Sequence, residues 1–240
     1  ISSLWTIFCL LFLWAGCPLA FGAVDFDGTD DYVDGGDINA MDGLTAVTAT
    51  AWVKATAAST NEIHIMDKSS CDGATGNFEV FMGYFAAHKA SFSIYYSGTA
   101  DTSGTSTTSI DDGAWYHLAG VYDGSSIIIY VNGVQENSKV NAGQTLSSTG
   151  LNFGIGGYCN NNPYHWNGLI DDVRVYNRAL SASEIEVIAK GRLKYDSLTT
   201  PGNGLVGYWP LDDSPDGTSG DGDTFKDRSG NGNNGTGVDG

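Results

Sequence analysis

The side chains best suited to chemistry lie in one short stretch of the chain, residues 158–166. This stretch combines flat rings, which can stack on the C–H faces of sugars, with primary amides, which donate to and accept from hydroxyl groups. The rings are Tyr158, Tyr164, His165 and Trp166, and the amides are Asn160, Asn161 and Asn162. These residue types at this spacing favour a carbohydrate-binding loop. The alternative is that Tyr164 and Trp166 pack under the loop, because aromatic side chains are mostly buried.

The net charge of the chain limits the classes of molecule that it can bind. The chain carries 28 Asp and Glu against 11 Lys and Arg, for a formal net charge of −17. Such a surface repels polyphosphates, so we expect no nucleic-acid partner. Most of the acids are Asp, which caps turns and is also a hard oxygen ligand of the kind that calcium prefers. Two explanations of the Asp content remain open. One is turn formation and solubility, which need no metal, and the other is a calcium site.

The first 22 residues differ from the rest of the chain. Residues 1–22 contain no charged residue, residues 4–13 are strongly apolar, and Ala20 and Gly22 are small residues placed before Ala23. This pattern is typical of the end of a secretory signal, and the apolar run is short for a membrane span. We therefore expect a secreted or cell-surface protein. Lipidation at Cys17 is an alternative, although Trp14 fits poorly three residues before it.

Cleavage after Gly22 would leave two cysteines, Cys71 and Cys159. Two cysteines in an exported domain most simply form one disulfide, which would tether the loop at 158–166. The alternative is a pair of unpaired buried thiols.

The remaining pattern is typical of short strands joined by tight turns. The chain has 33 glycines, and apolar runs alternate with Gly, Asn, Asp and Ser. Asn132 and Gly133 between two apolar runs predict a type I′ hairpin, and the three preceding isoleucines predict a strand covered on both faces. A capping-box pattern at Ser181 and Glu184 predicts one short helix that ends near Gly191. We predict an all-β, antiparallel two-sheet sandwich with one short C-terminal helix.

Five motifs in order resemble the laminin-G-like, concanavalin-A-like jelly-roll family. They are residues 26–33, 50–54, 115–124, 130–133 and 167–181. The resemblance implies a jelly-roll domain over residues 23–190, followed by a linker at 191–203. It also implies that the first and last strands are adjacent, which would bring Asp27, Asp30 and Asp31 near Asp171 and Asp172. Members of this broad fold often bind calcium, so these five residues are the predicted metal ligands. The alternative is that they cap turns and pair with Arg174 or Arg178.

Pentraxins share this fold, and residues 59–63 resemble their first calcium-bearing segment. Thr60 replaces an acid there, and the amides of the 158–166 loop stand where pentraxins have an acidic cluster. The resemblance therefore does not extend to pentraxin-type calcium. It still implies a ligand-binding face that joins Asn61 to the 158–166 loop.

The tail repeats an opening motif of the family. Residues 204–209 are an apolar strand, and residues 225–236 are a Gly/Asn-rich loop. In this family such a strand normally precedes the segment at residues 26–33, and the first copy lacks it. We expect residues 204–240 to be the start of a second such domain, or a strand that completes the first.

The fold also includes glucanases, which use two carboxylates in a Glu-x-Asp-x-x-Glu arrangement. That motif is absent from the sequence. We therefore predict a non-catalytic binding module for a glycan or a glycosylated surface, within a larger protein. The alternatives are a structural or adhesive protein–protein module, and a degenerate or non-catalytic part of a glycoside hydrolase.

Overall fold

In a computed structural model of the chain, the described residues are 22–56, 63–70, 75–82, 88–157, 164–191, 203–213 and 220–239. Strands β1–β7 are Val24–Asp27, Tyr32–Asp34, Val47–Ala55, Ile63–Ser69, Gly76–Met82, Ala90–Tyr96 and Thr99–Thr102. Strands β8–β15 are Tyr116–Tyr122, Ser126–Val131, Val134–Val140, Gly154–Ile155, Asn167–Tyr176, Leu205–Trp209, Thr224–Phe225 and Gly235–Val238. A 3-10 turn at Asn39–Met41 and helix α1 at Ala182–Ala189 complete the regular structure of these ranges.

The strands form two sheets in which every pairing is antiparallel. The first sheet has the order β1-β12-β3-β8-β9-β10, and β13 also pairs with β12. The second sheet has the order β14-β15-β2-β11-β4-β5-β6-β7. The predicted all-β, two-sheet jelly-roll sandwich with one short helix is confirmed.

The core lies between the sheets and is built from alternate residues of each strand. In β3 these are Val47, Ala49, Ala51 and Val53, and in the second sheet they include Phe78, Val80, Phe92 and Ile94. Alternation is the period of a strand that buries one face. Trp166 and Trp209 are the bulkiest fully buried side chains of the described residues. Burying one large apolar side chain stabilises a fold by about 1.5–3 kcal/mol, so these positions carry much of the stability.

Two local predictions are confirmed. Asn132 and Gly133 have φ angles of 51° and 82°, as a type I′ turn requires, and they join β9 to β10. Of the three isoleucines before them, Ile127 and Ile129 enter the core, and Ile128 packs on the opposite face of the sheet. The strand is therefore covered on both sides.

Helix α1 covers that opposite face of the first sheet. Its N-cap is Ser181, and Ser181 and Glu184 each accept a hydrogen bond from the other's backbone N–H, which is the predicted capping box. Ile185 and Ile188 pack into a second apolar cluster with Val121 and other side chains of the sheet. This packing fixes the helix on the sandwich.

The tail is part of both sheets. We call residues 203–213 and 220–239 the closing segment. Its strand β13 pairs with the second half of β12, with Val173 opposite Trp209, and its strand β15 pairs with β2 in the second sheet. The Trp209 ring stacks on Phe153 with a centroid distance of 5.0 Å. In this structure the closing segment therefore pairs with strands of both sheets.

Side-chain hydrogen bonds hold the closing segment in its own compact turn. Asp227 accepts from the backbone N–H groups of Tyr208 and Ser229, at 3.0 and 2.8 Å. The side-chain amides of Asn231 and Asn233 both donate to Val206 O at 2.9 Å. These bonds satisfy backbone groups of β13 and of the loop after β14 that strand pairing does not reach.

The predicted signal segment lies outside the described residues except for Gly22. Within the described ranges, no helix has both the length and the apolar character needed to cross a membrane.

Candidate functional site

Polar side chains line the face of the second sheet that points away from the core. Along β5, Phe78 and Val80 enter the core, so Glu79 between them points to the other face. The same alternation in β6 places Tyr95 on that face, next to the core residue Ile94. We call the buried polar residues of this face the outer-face cluster. They are His64, Asp67, Glu79 and Tyr95.

Register brings the acids of this cluster together. Asp67 in β4 lies directly opposite Glu79 in β5, and residues in such a pair have Cβ atoms roughly 4.5–5.5 Å apart. His64 Nδ1 contacts one carboxylate oxygen of Asp67. The Tyr95 hydroxyl donates to Glu79 Oε1 at 2.6 Å. Two carboxylates therefore share one small area, each held by a named partner.

Burial favours the neutral form of Glu79 in this cluster. Desolvation raises the pKa of Glu79, and the negative charge of Asp67 adds to that effect, while His64 and the Tyr95 hydroxyl act in the opposite direction. The second oxygen of Asp67, Oδ1, is buried without a hydrogen-bond partner. A buried acceptor left unpaired costs free energy, so the cluster contains one polar atom that its neighbours do not satisfy.

Tyr164 forms the outer edge of the cluster. Its backbone carbonyl accepts a hydrogen bond from His64 N at 2.7 Å, which fixes the start of this stretch against β4. Its ring stacks on the His64 imidazole, with centroids 5.4 Å apart and the planes inclined by 16°. Tyr164 is half-buried, so part of the phenol faces solvent. The ring is thus held flat on a rigid support and exposes surface to a ligand.

The structure buries the side chains of Trp166 and His165, although both were predicted to face a ligand. Trp166 is fully buried in the core, so its ring is not open to a sugar, and the alternative of core packing holds for this residue. His165 is 3% exposed, and its Nδ1 lies 3.3 Å from the carbonyl oxygen of Asp31. Tyr164, His165 and Trp166 directly precede β12, and the Trp166 N–H donates to Gly156 O at 2.8 Å, which holds this stretch against the sandwich.

Several predicted site residues lie outside the described residues. They are Asn61, Tyr158, Asn160, Asn161 and Asn162 of the ligand-binding set, and Cys71 and Cys159 of the predicted disulfide. Their roles stay predictions. Both flanks of the 158–163 stretch are described, and Tyr164 places its C-terminal end beside the outer-face cluster.

Three of the predicted metal ligands come together. Carboxylate oxygens of Asp27, Asp30 and Asp31 all lie within 4.8 Å of one another. Two of these acids also cap the turn between β1 and β2, because Asp27 Oδ1 accepts from Thr29 N at 2.7 Å and Asp31 Oδ2 accepts from Asp27 N at 3.0 Å. The turn-capping alternative is therefore present, and the three carboxylates together are a hard, anionic donor set of the kind that suits calcium.

The other two predicted ligands lie elsewhere. Strand β1 runs antiparallel to β12, with Val24 opposite Ile170 and Asp27 opposite Asn167. Asp171 and Asp172 therefore lie beyond the opposite end of β1, on the order of 13 Å along the strand from Asp27. Asp172 instead pairs with Arg174 at 3.4 Å, as the alternative had it. It also accepts from the Tyr208 hydroxyl at 2.7 Å. Adjacent strands were predicted correctly, but the antiparallel register separates the two acidic groups.

Sequence reasoning missed the outer-face cluster. Its members are spread over three strands, and no local motif joins them. The available signal was the polar residue in each apolar run, such as Glu79 between Phe78 and Val80. Alternation assigns these residues to the face away from the core, but only the strand order shows that the faces adjoin.

The fold and the family motifs agree with comparisons to known proteins. The model of the concanavalin A-like lectin/glucanases superfamily matches residues 27–186, more than half of the chain. The chain belongs to this family. No curated protein matches the sequence.

Solved structures with the same fold include three from different kinds of protein. A protein from Bacteroides ovatus for which carbohydrate binding has been suggested is similar with a TM-score of 0.68 at 20% identity, over 91% of this chain and 58% of its own. The SAP-like pentraxin from Limulus polyphemus has a TM-score of 0.53 at 18% identity, over 71% and 82%. Domain 4 of an extracellular arabinanase from Geobacillus stearothermophilus, solved with arabinotriose, has a TM-score of 0.51 at 20% identity, over 70% and 76%. The chain thus spans little more than half of the Bacteroides protein.

Proposed function

We propose that this chain is an exported, non-catalytic module that binds carbohydrate. The observation that carries the proposal is the half-buried Tyr164 ring, which stacks on the His64 imidazole, and His64 in turn contacts the buried Asp67 carboxylate. Aromatic faces bind the C–H faces of sugars, and the solvent-facing part of the Tyr164 ring would supply such a face. Because Tyr164 is already held in place, little side-chain entropy is lost when a ligand binds.

Two of the similar structures support this choice of ligand. Carbohydrate binding has been suggested for the Bacteroides protein, and the arabinanase domain was solved with a bound oligosaccharide. The amides at Asn160, Asn161 and Asn162 directly precede Tyr164 in sequence, so they would extend the same binding face. Export is supported by the apolar, uncharged residues 1–22.

A calcium ion is a proposed part of the module rather than of the sugar site. Asp27, Asp30 and Asp31 would hold it, and it would cancel the repulsion between their carboxylates. Calcium takes about six to eight oxygen ligands, so water and backbone carbonyls would complete its coordination. Bound there, the ion would stiffen the turn between β1 and β2, and the Asp31 carbonyl in that turn faces His165.

An adhesive protein–protein module is the second candidate. The burial of Trp166 and His165 favours it, because two of the four rings expected to face a sugar are absent from the surface. Replacement of Tyr164 distinguishes the two functions, because only carbohydrate binding requires a Tyr164 ring face that a sugar can reach.

A glycan array tests the proposal directly. We expect the exported chain to bind one class of oligosaccharide and the Tyr164→Ala variant to bind it about tenfold more weakly or worse, since loss of a central aromatic contact commonly costs more than 1 kcal/mol. Tyr116→Ala is the matched control, because Tyr116 is also half-buried and lies at the start of β8 in the other sheet. Equal binding by both variants, or no glycan bound by the parent chain, would overturn the proposal.

A further inference from the structure

A buried lysine and a buried asparagine meet at one carboxylate, away from the outer-face cluster. Lys68 in β4 is 0% exposed, although a lysine is rarely buried completely. Its ammonium group donates to Asp37 Oδ1 at 2.7 Å and to Ile38 O at 3.3 Å. It also lies 3.1 Å from Asp42 Oδ1. The amine is thus enclosed between its own strand and the 3-10 turn.

Asn77 reaches the same oxygen from the neighbouring strand. It is also 0% exposed, and its Nδ2 donates to Asp42 Oδ1 at 2.9 Å. The carbonyl oxygens of Met41 and Ser147 accept from Nδ2 at 2.9 and 2.8 Å, which fixes the orientation of the amide. The other side-chain atom, Oδ1, accepts from Thr149 Oγ1 at 3.0 Å.

A bulge explains why the two side chains share a face. Between Asp67–Glu79 and Ser69–Gly76, the register of β4 and β5 shifts by one residue, so Lys68 faces both Asn77 and Phe78. Without this extra residue, alternation would place Asn77 on the face opposite to Phe78 and away from Asp42.

We propose that Lys68 and Asn77 join in an intramolecular isopeptide bond. Asp42 takes a proton from the Lys68 ammonium, and the neutral Nζ attacks Cγ of Asn77, forming a C–N bond. Asp42 then returns the proton to Nδ2 as the Cγ–Nδ2 bond breaks, and the nitrogen leaves as ammonia, which is protonated by the second proton released from Nζ. One ammonium ion departs, no electrons are transferred and no co-reactant is needed.

The groups around Lys68 and Asn77 supply the proton transfer, the charge stabilisation and the exclusion of water that this step needs. A carboxylate between nucleophile and leaving group can carry the proton from one to the other. The Thr149 hydroxyl already points at Asn77 Oδ1, where negative charge develops as Nζ attacks. Burial excludes the water that would compete with Nζ for the amide carbon. The bond would lock β4 to β5.

Lys68 stands apart from the other lysines of the described residues. Lys139 and Lys190 also contact carboxylates, but their side chains are 55% and 53% exposed, as expected for surface ion pairs. Lys54 is half-exposed on β3 in the first sheet. These residues give matched controls that keep the charge of the protein unchanged.

Peptide mass spectrometry of the purified full chain tests the proposal. Cleavage before Asp67 and before Asp72 would separate Lys68 from Asn77 in a linear chain. We expect the two resulting peptides to remain joined, one ammonia lighter than their sum, and trypsin to leave Lys68 uncut. Lys68→Arg should abolish the joined species, Lys54→Arg should retain it, and Asp42→Asn should slow its formation in freshly refolded protein.

Three results would overturn the proposal. The first is two separate, unmodified peptides from the parent chain, which would show that Lys68 makes only ion pairs. The second is a joined species lighter by one water, which would place the bond on an aspartate instead of Asn77. The third is an ammonia loss that maps to an Asn-Gly step, such as Asn231 and Gly232, with the Lys68 peptide unchanged.

Discussion

Replacement of Trp209 by alanine measures how far the closing segment belongs to the first sandwich. Trp209 is fully buried, its ring stacks on Phe153, and its Nε1 donates to Asn233 O at 2.8 Å. It therefore joins three parts of the molecule: β13, the core between the sheets and the compact turn of the segment. If the segment were the independent start of another domain, these contacts would not stabilise residues 23–190.

The expected loss follows from burial. Truncation of a buried tryptophan to alanine costs about 3–5 kcal/mol, through lost transfer free energy and the cavity that remains. The lost indole hydrogen bond also leaves the Asn233 carbonyl short of a partner, for about 1 kcal/mol more. For a chain of this size each kcal/mol lowers the melting temperature by about 2–4 °C, so a total loss of about 4–6 kcal/mol should lower it by about 8–24 °C.

Thermal unfolding followed by circular dichroism and tryptophan fluorescence gives the measurement. Trp115→Ala is the matched control, because Trp115 precedes β8 and is half-buried, so the same substitution removes less buried area. We expect a single cooperative transition for the parent chain, a large shift for Trp209→Ala and a smaller one for Trp115→Ala. A main transition that does not move when Trp209 is replaced would refute the role of the segment as a structural part of the sandwich.

Three further perturbations test individual features. Trp166→Ala should lower stability by about 3–5 kcal/mol in urea unfolding, because its ring is core; near-parent stability with lost glycan binding would contradict that. Burial, with a smaller effect of Arg174, lowers the pKa of His117 to about 3, so the unfolded chain binds more protons between pH 6.5 and that value. Stability should fall through this window by up to about 5 kcal/mol as the pH drops, and His117→Gln should show a flatter profile. If calcium binds Asp27, Asp30 and Asp31, chelator should lower the melting temperature, and Asp30→Asn, which spares the turn hydrogen bonds, should remove that response.

Features specified by neighbouring residues could be predicted from sequence. The hairpin at Asn132 and Gly133 depends on two residues that accept positive φ angles, and the cap of α1 depends on Ser181 and Glu184 within one turn. Both signals are local, because their physical cause lies within four residues. The order of the family motifs then supplied the sandwich, which local signals alone would leave open.

The candidate site was harder to predict, because it depends on which residues of paired strands lie opposite each other and on the face of the sheet that each side chain occupies. Tyr164 and Trp166 are the same chemical kind of residue, yet one is half-exposed and the other fully buried. Likewise, adjacency of β1 and β12 was expected, but the pairing of Asp27 with Asn167 keeps Asp171 out of the acidic group. A displacement of a few residues along a pair of strands decides which side chains meet, and composition carries no information on it.

The closing segment pairs with a part of β12 that β1 leaves unpaired. Strand β1 pairs only with the first half of β12, from Asn167 to Ile170, and leaves the rest of that edge open. A register irregularity between Asp171 and Arg174 lies at this junction, with Asp172 at a φ angle of 52°. An aspartate tolerates such a backbone better than most residues, but it still needs contacts to hold it.

Those contacts come from the closing segment. The Tyr208 hydroxyl donates to Asp172, and the Tyr208 ring lies 4.5 Å from the Arg174 guanidinium, which itself pairs with Asp172. Asp172 and Arg174 lie inside the family match at residues 27–186, whereas Tyr208 lies outside it. A buried arginine and an acid at an irregular strand position are costly without a partner. The second half of β12 therefore carries residues whose packing is complete only when β13 pairs beside them.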